Sequence, residues 1–178
     1  MLVDDGEHRR EVLGEGETLM GAVRDVALGL ATLGFGLMAG LFYAFAVAVM
    51  PALRGAADRT FVDVMQRINT AILNRWFLSV YVGVLLPAVA AAALHVPAGG
   101  RAVLPWVLAG LLLYLVMFLI TGGVNVPLNN KLDAAGDPAD PAAVRRAFEG
   151  VWVRWNVVRA LTSTGAFACL VVALVRAA

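Results

Sequence analysis

Four long stretches that are nearly free of charge constrain this chain more than any other feature. Of its 178 residues, 61% are hydrophobic and only 15% are charged, whereas soluble domains are about half apolar and about a quarter charged. A helix needs about 20 mainly apolar residues to cross the hydrocarbon core of a bilayer. The sequence therefore predicts an all-α integral membrane four-helix bundle, with spans at about residues 26–50, 76–95, 103–123 and 157–175.

The segments outside the spans predict one domain with an additional surface helix. Residues 1–25 are acidic, and we expect a flexible tail, disordered or weakly helical, ahead of a single membrane domain at residues 26–178. Residues 58–75 place apolar side chains on one face at helical spacing. This pattern predicts an amphipathic helix that lies on the membrane surface or extends the second span, with Asp58 as a candidate cap. Gly99 and Gly100 predict a tight hairpin between the second and third spans.

Prolines mark the expected ends of helices. Because proline lacks a backbone N–H and clashes with the preceding turn, we expect Pro51 to end the first helix and Pro87 to kink the second. Gly122 and Gly123 precede Pro127, which predicts a break after the third span. The Asp140-Pro141 pair predicts the start of the last helix, with aspartate as the cap and proline at the first position.

Small residues recur at every fourth position of the first span, at Gly36, Gly40, Ala44 and Ala48. Such a stripe lets a second helix approach closely. We therefore expect this helix to pack inside the bundle, and the Gly36/Gly40 face is a possible contact for a homo-oligomer.

Charge and ligand patterns exclude several classes of function. The net charge is +1 without a basic run, so we expect no nucleic-acid partner. Cys169 is the only cysteine, and the two histidines lie in different segments, so no metal or haem ligand set is apparent. Because a glycine-rich nucleotide loop is also absent, we expect neither a metal nor a cofactor.

A polar stripe leads into the last span. At helical spacing one face carries Glu149, Trp152, Asn156, Arg159 and Ser163. Polar groups that enter a bilayer are costly unless they are paired or face a cavity, so this face should point into the protein. For the neighbouring Arg154 and Trp155, a snorkelling arginine and an aromatic belt are an equally good explanation.

Asparagines form the second polar feature. Asn125, Asn129 and Asn130 surround Pro127, where a broken helix would expose amide donors and carbonyls at the membrane boundary. Asn69 falls near the apolar side of the amphipathic helix, where its amide needs a partner. We expect Asn125, Asn129, Asn156 and Arg159 to converge. Ordinary capping and turn formation, or an exposed interfacial position for Asn69, remain alternatives.

These motifs resemble the anthrone oxygenase-like family of membrane proteins, also labelled DUF1772. The resemblance covers residues 26–175 and rests on four short motifs. They are Met50-Pro51, Met65-Gln66-Arg67-Ile68-Asn69, Asn125-Val126-Pro127-Leu128-Asn129 and Trp152-x-x-Trp155-Asn156-x-x-Arg159. The resemblance implies a membrane-embedded oxygenase that acts on a lipophilic small molecule, an anthrone or another hydroxyaromatic compound.

The chemistry of these residues suits that reaction without a cofactor, because an anthrone enolate can pass an electron directly to dioxygen. As catalytic candidates, Asn156 and Arg159 would stabilise the oxyanion and Glu149 would accept the proton. The substrate-binding candidates are Asn69, Asn125, Asn129, Trp152 and Trp155, of which the two tryptophans would stack on the fused rings.

A second hypothesis is that the chain is a small membrane protein without enzymatic activity that binds a ligand, accompanies a transporter or acts as a scaffold. In that case Arg159 and the asparagines would only satisfy one another's hydrogen bonds. No charge lies within the first three spans, which argues against an ion path across the membrane. The polar residues collect at one interface instead, which favours a pocket.

The distribution of lysine and arginine predicts the orientation. The two long connections and the entry to the fourth span hold nine of these residues, and the opposite side holds five. Cytoplasmic loops carry an excess of Lys and Arg. We therefore expect the long connections in the cytoplasm and both termini outside, in a bacterial-type inner or plasma membrane.

Site-directed labelling of intact cells tests this orientation. In a Cys169→Ala background, an impermeant maleimide should label Gly99→Cys, because the short loop faces outward. It should label Ala139→Cys only after the membrane has been permeabilised. Labelling of position 139 but not position 99 would reverse the assignment.

Overall fold

The structure is a computed structural model that describes residues 4–97 and 101–177, with side chains from residue 12 onward. All regular elements of this described part are helical. The α-helices are α1 (Asp4–Ala44), α2 (Met50–Arg54), α3 (Asp58–Ile72), α4 (Arg75–Tyr81), α5 (Leu85–His95), α6 (Leu104–Ile120), α7 (Val126–Ala134) and α8 (Pro141–Ala177).

Four helical segments of the described chain are long and apolar enough to cross a membrane: Val12–Arg54, Arg75–His95, Leu104–Ala134 and Pro141–Ala177. Helix α8 packs against α1 and α6, and α5 packs against the same two helices, which closes a four-helix bundle. Large apolar side chains such as Leu33, Leu119 and Leu161 point outward. The protein is therefore an all-α integral membrane protein, as the sequence predicts.

Two prolines are accommodated by π-helical turns. Phe45–Val49 forms one such turn ahead of Pro51, and Thr121–Asn125 forms another ahead of Pro127. A proline ring clashes with the carbonyl group four residues earlier, and that residue lies inside the wider turn in both cases. The predictions that Pro51 ends the first helix and that Pro127 interrupts the helix after the third span are therefore wrong. In both places the backbone remains helical through the π-helical turn and beyond the proline.

The second span is interrupted at residues 82–84, four residues ahead of Pro87, so the predicted disruption of this helix is confirmed. In the interruption the Leu85 amide donates to the Val82 carbonyl group at 3.2 Å. The Tyr81 carbonyl oxygen instead accepts a hydrogen bond from the Tyr114 hydroxyl at 2.9 Å. The break thus links α4 to α6 through a side chain.

The bundle contains two apolar cores. The membrane core lies between the spans, and in it Phe35 stacks on Tyr114 with ring centroids 4.2 Å apart. The head core lies at the end that carries the long connections, where α3, α7 and the start of α8 meet around Phe61, Met65 and Trp152. The junction of these two cores is where the polar stripe of α8 enters the bundle.

The amphipathic helix α3 covers the head core, which confirms this element. Its apolar face is buried, and the Gln66 side chain donates to the Leu132 and Gly136 carbonyl groups, both at 2.8 Å. Asp58 does not cap the helix, contrary to the prediction. Its carboxylate instead accepts a hydrogen bond from Arg145 at 3.0 Å.

The stripe of small residues on α1 faces mainly outward. Gly36 packs beside the Phe167 ring, but Gly40, Ala44 and Ala48 are exposed. The prediction that this stripe packs inside the bundle is wrong except at Gly36. The buried face of the helix carries Leu28, Ala31, Phe35, Met38 and Phe42. Oligomer formation through the Gly36/Gly40 face stays a prediction.

Two sequence predictions concern the ends and the short loop. Helix α1 begins at Asp4 and includes most of the acidic segment, for which the sequence leaves helix and disorder open. Flexibility of that segment stays a prediction. The hairpin at Gly99 and Gly100 lies outside the described residues.

Arg145 ties the head core together. Its guanidinium donates to the Arg54 carbonyl group, in the last turn of α2, at 2.9 Å. It also donates to the Ala56 carbonyl group, just after the end of α2, at 2.8 Å. Its Nε donates to Glu149 Oε2 at 2.7 Å, and its guanidinium carbon lies 4.5 Å from the Phe61 ring centre. One side chain thus joins the connection after the first span to α8.

Removing this side chain should destabilise the protein. Arg145→Ala leaves two partly exposed carboxylates and several carbonyl groups without their donor, and buried groups left unsatisfied in this way cost about 1–3 kcal/mol. Arg146→Ala, at the exposed neighbouring position, is the matched control and should change stability by less than about 0.5 kcal/mol. Equal melting temperatures of the two variants in detergent would contradict this role.

Candidate functional site

A cavity of about 230 Å³ lies at the junction of the membrane core and the head core. It extends from α1 and α3 on one side to α7 and α8 on the other. Most of its wall is apolar and is formed by Leu41, Phe42, Phe45, Ile68, Ile72, Leu73, Phe77, Leu78 and Val126. A cavity of this kind suits a lipophilic ligand.

The inner end of the cavity carries the guanidinium of Arg159, a residue that is 95% buried. Nη2 donates to Asn156 Oδ1 at 2.9 Å, and Nη1 donates to Thr121 Oγ1 at 3.4 Å. The guanidinium carbon lies 4.5 Å from the Phe42 ring centre and 5.3 Å from that of Trp152. Two aromatic rings and neutral oxygens therefore surround the cation.

Arg159 forms no ion pair with any carboxylate among the residues whose side chains are described. Within the same residues its Nε also has no hydrogen-bond partner. Burial of a guanidinium costs several kcal/mol, and neutral partners recover only part of this. An anionic group in the cavity would therefore gain a strong interaction at this end.

Two hydroxyl groups flank the guanidinium. Thr121 lies in the second π-helical turn and donates to the Met117 carbonyl group at 2.9 Å. Tyr81 lines the cavity and places its hydroxyl beside Thr121. Its ring stacks between Phe77 and Phe118, with centroids 5.3 and 4.7 Å away. The inner end of the cavity thus combines one cation with two hydroxyl groups.

Trp152 forms the wall that separates the cavity from the head core. Its Nε1 donates to Asn129 Oδ1 at 2.8 Å, and its carbonyl oxygen accepts from Asn125 Nδ2 at 3.4 Å. Asn156 Nδ2 donates to the Phe42 carbonyl group at 3.3 Å. These hydrogen bonds fix the Trp152 indole and the Asn156 amide, which is the partner of Arg159. Both side chains are therefore held in place before any ligand binds.

The mouth of the cavity is polar on its α7 side. Asn129, Asn130 and Asp133 share one helical face with Val126. Asn69 donates from Nδ2 to Asp133 Oδ1 at 3.0 Å, so its buried amide has a partner. Among the described residues, Asp133 is the only carboxylate that lines the cavity.

Four of the residues singled out from the sequence line the cavity: Asn69, Asn129, Trp152 and Arg159. Asn125 and Asn156 lie behind this wall, completely or almost completely buried. Asn156 reaches Arg159 directly, whereas Asn125 and Asn129 are joined to it only through Trp152. The four residues expected to converge, Asn125, Asn129, Asn156 and Arg159, are thus linked in series by contacts through Trp152 and do not all meet at one point.

The structure does not bring Glu149 and Trp155 to the cavity. Glu149 is held by Arg145 and does not line the cavity, because it lies ten residues, or nearly three helical turns, before Arg159. Trp155 points outward and is 37% exposed, which agrees with an aromatic belt. The roles given to them in the sequence analysis, proton acceptor and stacking partner, therefore have no geometric support.

Sequence reasoning missed Tyr81, Thr121 and Asp133. Asp133 continues the helical face of Asn129, so spacing alone could have found it. Tyr81 and Thr121 are isolated polar residues within apolar spans and give no periodic signal. No three His, Cys, Asp or Glu side chains lie close enough to hold a metal ion within the described parts of the chain.

The fold and the cavity define a class: a four-span membrane protein with an apolar site that ends at a buried cation. The family model described as anthrone oxygenase matches residues 73–169, more than half of the chain. The protein therefore belongs to this family, and the resemblance is confirmed over those residues. The match includes Tyr81, Thr121, Trp152 and Arg159, and begins after α3. No curated protein and no solved structure matches the chain.

Proposed function

We propose that the protein is a cofactor-independent oxygenase that acts on a lipophilic hydroxyaromatic compound such as an anthrone. One observation carries the proposal: an apolar cavity ends at the Arg159 guanidinium, which lacks a carboxylate partner among the described side chains. Such a site favours a ligand that is apolar over most of its surface and becomes anionic at one oxygen. The family model supports the same substrate class through its description.

The reaction needs only the substrate and dioxygen. Loss of one methylene proton converts the anthrone to its enolate, whose negative charge lies largely on the ring oxygen. The enolate reduces dioxygen, and a carbon–oxygen bond forms to give a hydroperoxide. Loss of water from the hydroperoxide leaves a carbonyl group, so that the methylene compound and dioxygen give the quinone and water. The substrate is the reductant and dioxygen is the oxidant.

Arg159 would stabilise the enolate oxygen. In a site from which water is excluded, a fixed cation acts strongly on charge that develops during deprotonation. Asn156 holds one edge of the guanidinium at 2.9 Å and so orients the other edge toward the ligand. Trp152 and Phe42, whose rings lie against the same cation, provide flat surfaces for the fused rings.

The mouth of the cavity suits entry from the bilayer. It lies beside the α3–α4 connection, where the surface helix passes into the second span. The cavity-lining Leu73 and Leu78 are exposed on this side, whereas Asn130 and Asp133 are exposed on the other. A hydroxyaromatic molecule dissolved in the membrane could enter past the leucines. In the orientation proposed from the arginine bias, this mouth lies at the cytoplasmic boundary.

A non-enzymatic binding protein is the second candidate. The same buried cation would hold an anionic lipophilic molecule without changing it, and the exposed Gly40 stripe would suit packing against another helix. Binding alone predicts affinity without turnover. Oxygen uptake therefore separates the two candidates.

Oxygen consumption by the purified protein in detergent tests the proposal. With an anthrone and without added metal or flavin, the protein should consume oxygen faster than the spontaneous reaction. Arg159→Ala should lower the enhancement by about 10²–10³-fold, because the oxyanion loses its principal donor. Arg159→Lys should recover only part of it, since an ammonium group keeps the charge but loses the planar fork.

Two further variants sharpen this test. Asn156→Ala should lose most of the enhancement, because the guanidinium loses its orienting partner. Arg154→Ala removes an exposed arginine from the same helix and should leave the rate unchanged. Anthrones that react no faster with the protein than without it would favour the binding candidate. Equal rates for wild type, Arg159→Ala and Asn156→Ala would move the active site elsewhere.

A further inference from the structure

We infer that the mouth of the cavity is a second polar binding site, at which Asp133 accepts a hydrogen bond from a hydroxyl group of the ligand. The inference rests on the ligand class of the proposed function and narrows it. The ligand is a flat apolar molecule with an acidic oxygen at one end and a free hydroxyl group at the other. The inference starts from the position of Asp133, the only carboxylate that lines the cavity among the described residues.

The carboxylate of Asp133 is held by a buried amide in the cavity wall. Asn69 is 5% exposed, lines the same cavity and donates from Nδ2 to Asp133 Oδ1 at 3.0 Å. Among the residues with described side chains, no further group donates a hydrogen bond to this carboxylate or forms an ion pair with it. One of its oxygens is therefore engaged by the protein, while Oδ2 is free to accept a hydrogen bond from a ligand.

The contact between Asn69 and Asp133 is not needed to hold α3 against α7. The Gln66 side chain already joins the two segments, because it donates to the carbonyl groups of Leu132 and Gly136, both at 2.8 Å. Leu132 is also buried in the head core together with the apolar face of α3. A role in ligand binding accounts for an amide and a carboxylate placed together at the rim of an apolar cavity.

Asn129 completes the site, one helical turn before Asp133 on the same face of α7. Its Oδ1 accepts the Trp152 indole N–H at 2.8 Å, so its Nδ2 is the free end of the amide. Four residues of helix rise by about 6 Å, so one ligand oxygen between the two side chains can reach both. A hydroxyl group suits this position because it donates to Asp133 and accepts from Asn129, whereas an ether oxygen only accepts.

The two ends of the cavity carry opposite charges and give the ligand one orientation. The Arg159 cation attracts the oxygen that becomes anionic, whereas the Asp133 carboxylate repels it. Because Asp133 is exposed at the mouth, water screens its charge, and its selectivity comes mainly from the hydrogen bond. The acidic oxygen therefore lies at the inner end and the hydroxyl group at the mouth.

The separation of the two ends limits the length of the ligand. Asp133 follows Thr121, the hydroxyl partner of Arg159, by twelve helical residues, an axial rise of about 18 Å. Two hydrogen bonds of about 3 Å each leave at most about 12 Å between the two ligand oxygens. This length exceeds one aromatic ring, so the hydroxyl group lies on the ring furthest from the oxygen at Arg159 or on a short side chain of that ring.

Anaerobic binding measurements with a matched series of ligands test this site. The probes are anthrones that carry a hydroxyl, hydroxymethyl or hydroxyethyl group on the outer-ring carbon furthest from the carbonyl group, each compared with its methyl ether. Without oxygen the anthrones are not consumed, so equilibrium dialysis against the purified protein in detergent measures affinity alone. For wild type, the tightest hydroxyl compound should bind about tenfold more tightly than its methyl ether, as expected for one hydrogen bond to a charged group.

Asp133→Asn should abolish this preference. Asn69 can still donate to the amide oxygen, which leaves an amide donor facing the ligand, so the hydroxyl compound and its ether should bind within about twofold of each other. Asp137→Asn is the matched control, because Asp137 is exposed, pairs with Arg59 and does not line the cavity. It should keep the wild-type preference. The measured quantity is a ratio of two affinities for one variant, so a change in overall stability does not alter it.

The outcomes keep the inference apart from the proposed function. A wild-type protein that binds hydroxyl compounds and ethers equally, or an Asp133→Asn variant that keeps the preference, overturns the inference and leaves the oxygenase to the oxygen-uptake assay. Loss of the preference in Asp137→Asn as well would assign it to surface charge and also overturns the inference. A preference that depends on Asp133 in a protein that consumes no oxygen supports the inference and overturns only the oxygenase. Anthrones that do not bind at all overturn both.

Discussion

A buried arginine with neutral partners is the constraint on which the site depends. Arg159 lies where the membrane core meets the head core, and the groups around it are two aromatic rings, one amide oxygen and one hydroxyl oxygen. A helix of the fourth span can carry this cation only if α1 supplies Phe42 and the second π-helical turn supplies Thr121. The arrangement of three separate segments is therefore fixed by the needs of a single side chain.

The prolines produce the irregular backbone that the site uses. In a bilayer every backbone group needs a partner within the protein, so a proline cannot simply end a span where lipid would meet the free carbonyl groups. A π-helical turn bonds the amide to the carbonyl group five residues earlier and keeps the path helical, which is why the breaks expected at Pro51 and Pro127 do not occur. These turns carry Phe45 and Thr121, both of which line the cavity.

Much of the fold follows from the sequence, because its signals are periodic or cumulative. The four spans need only apolar length, and α3 and the stripe of α8 need only the helical repeat, which places Trp152, Asn156 and Arg159 on one buried face. The cavity does not follow in the same way. Tyr81 and Thr121 are single polar residues in apolar spans, and their importance arises only when α4 and α6 are brought beside α8. Glu149 shares the stripe, but Arg145, four residues earlier on the same helix, holds it in the head core, and this i, i+4 pairing is a signal that the sequence analysis did not use.

The physical value of such a site lies in the difference between two states of the ligand. A neutral ketone in the cavity gains little from Arg159, because its oxygen carries only a partial charge. The enolate carries a full charge and meets a guanidinium whose Nε has no hydrogen-bond partner among the described groups. The interaction therefore strengthens as the proton leaves, and only interactions that are stronger in the transition state than in the ground state accelerate a reaction. The free energy that the empty protein loses by burying this cation is recovered at the moment when charge develops, which is the condition for electrostatic catalysis in an apolar cavity.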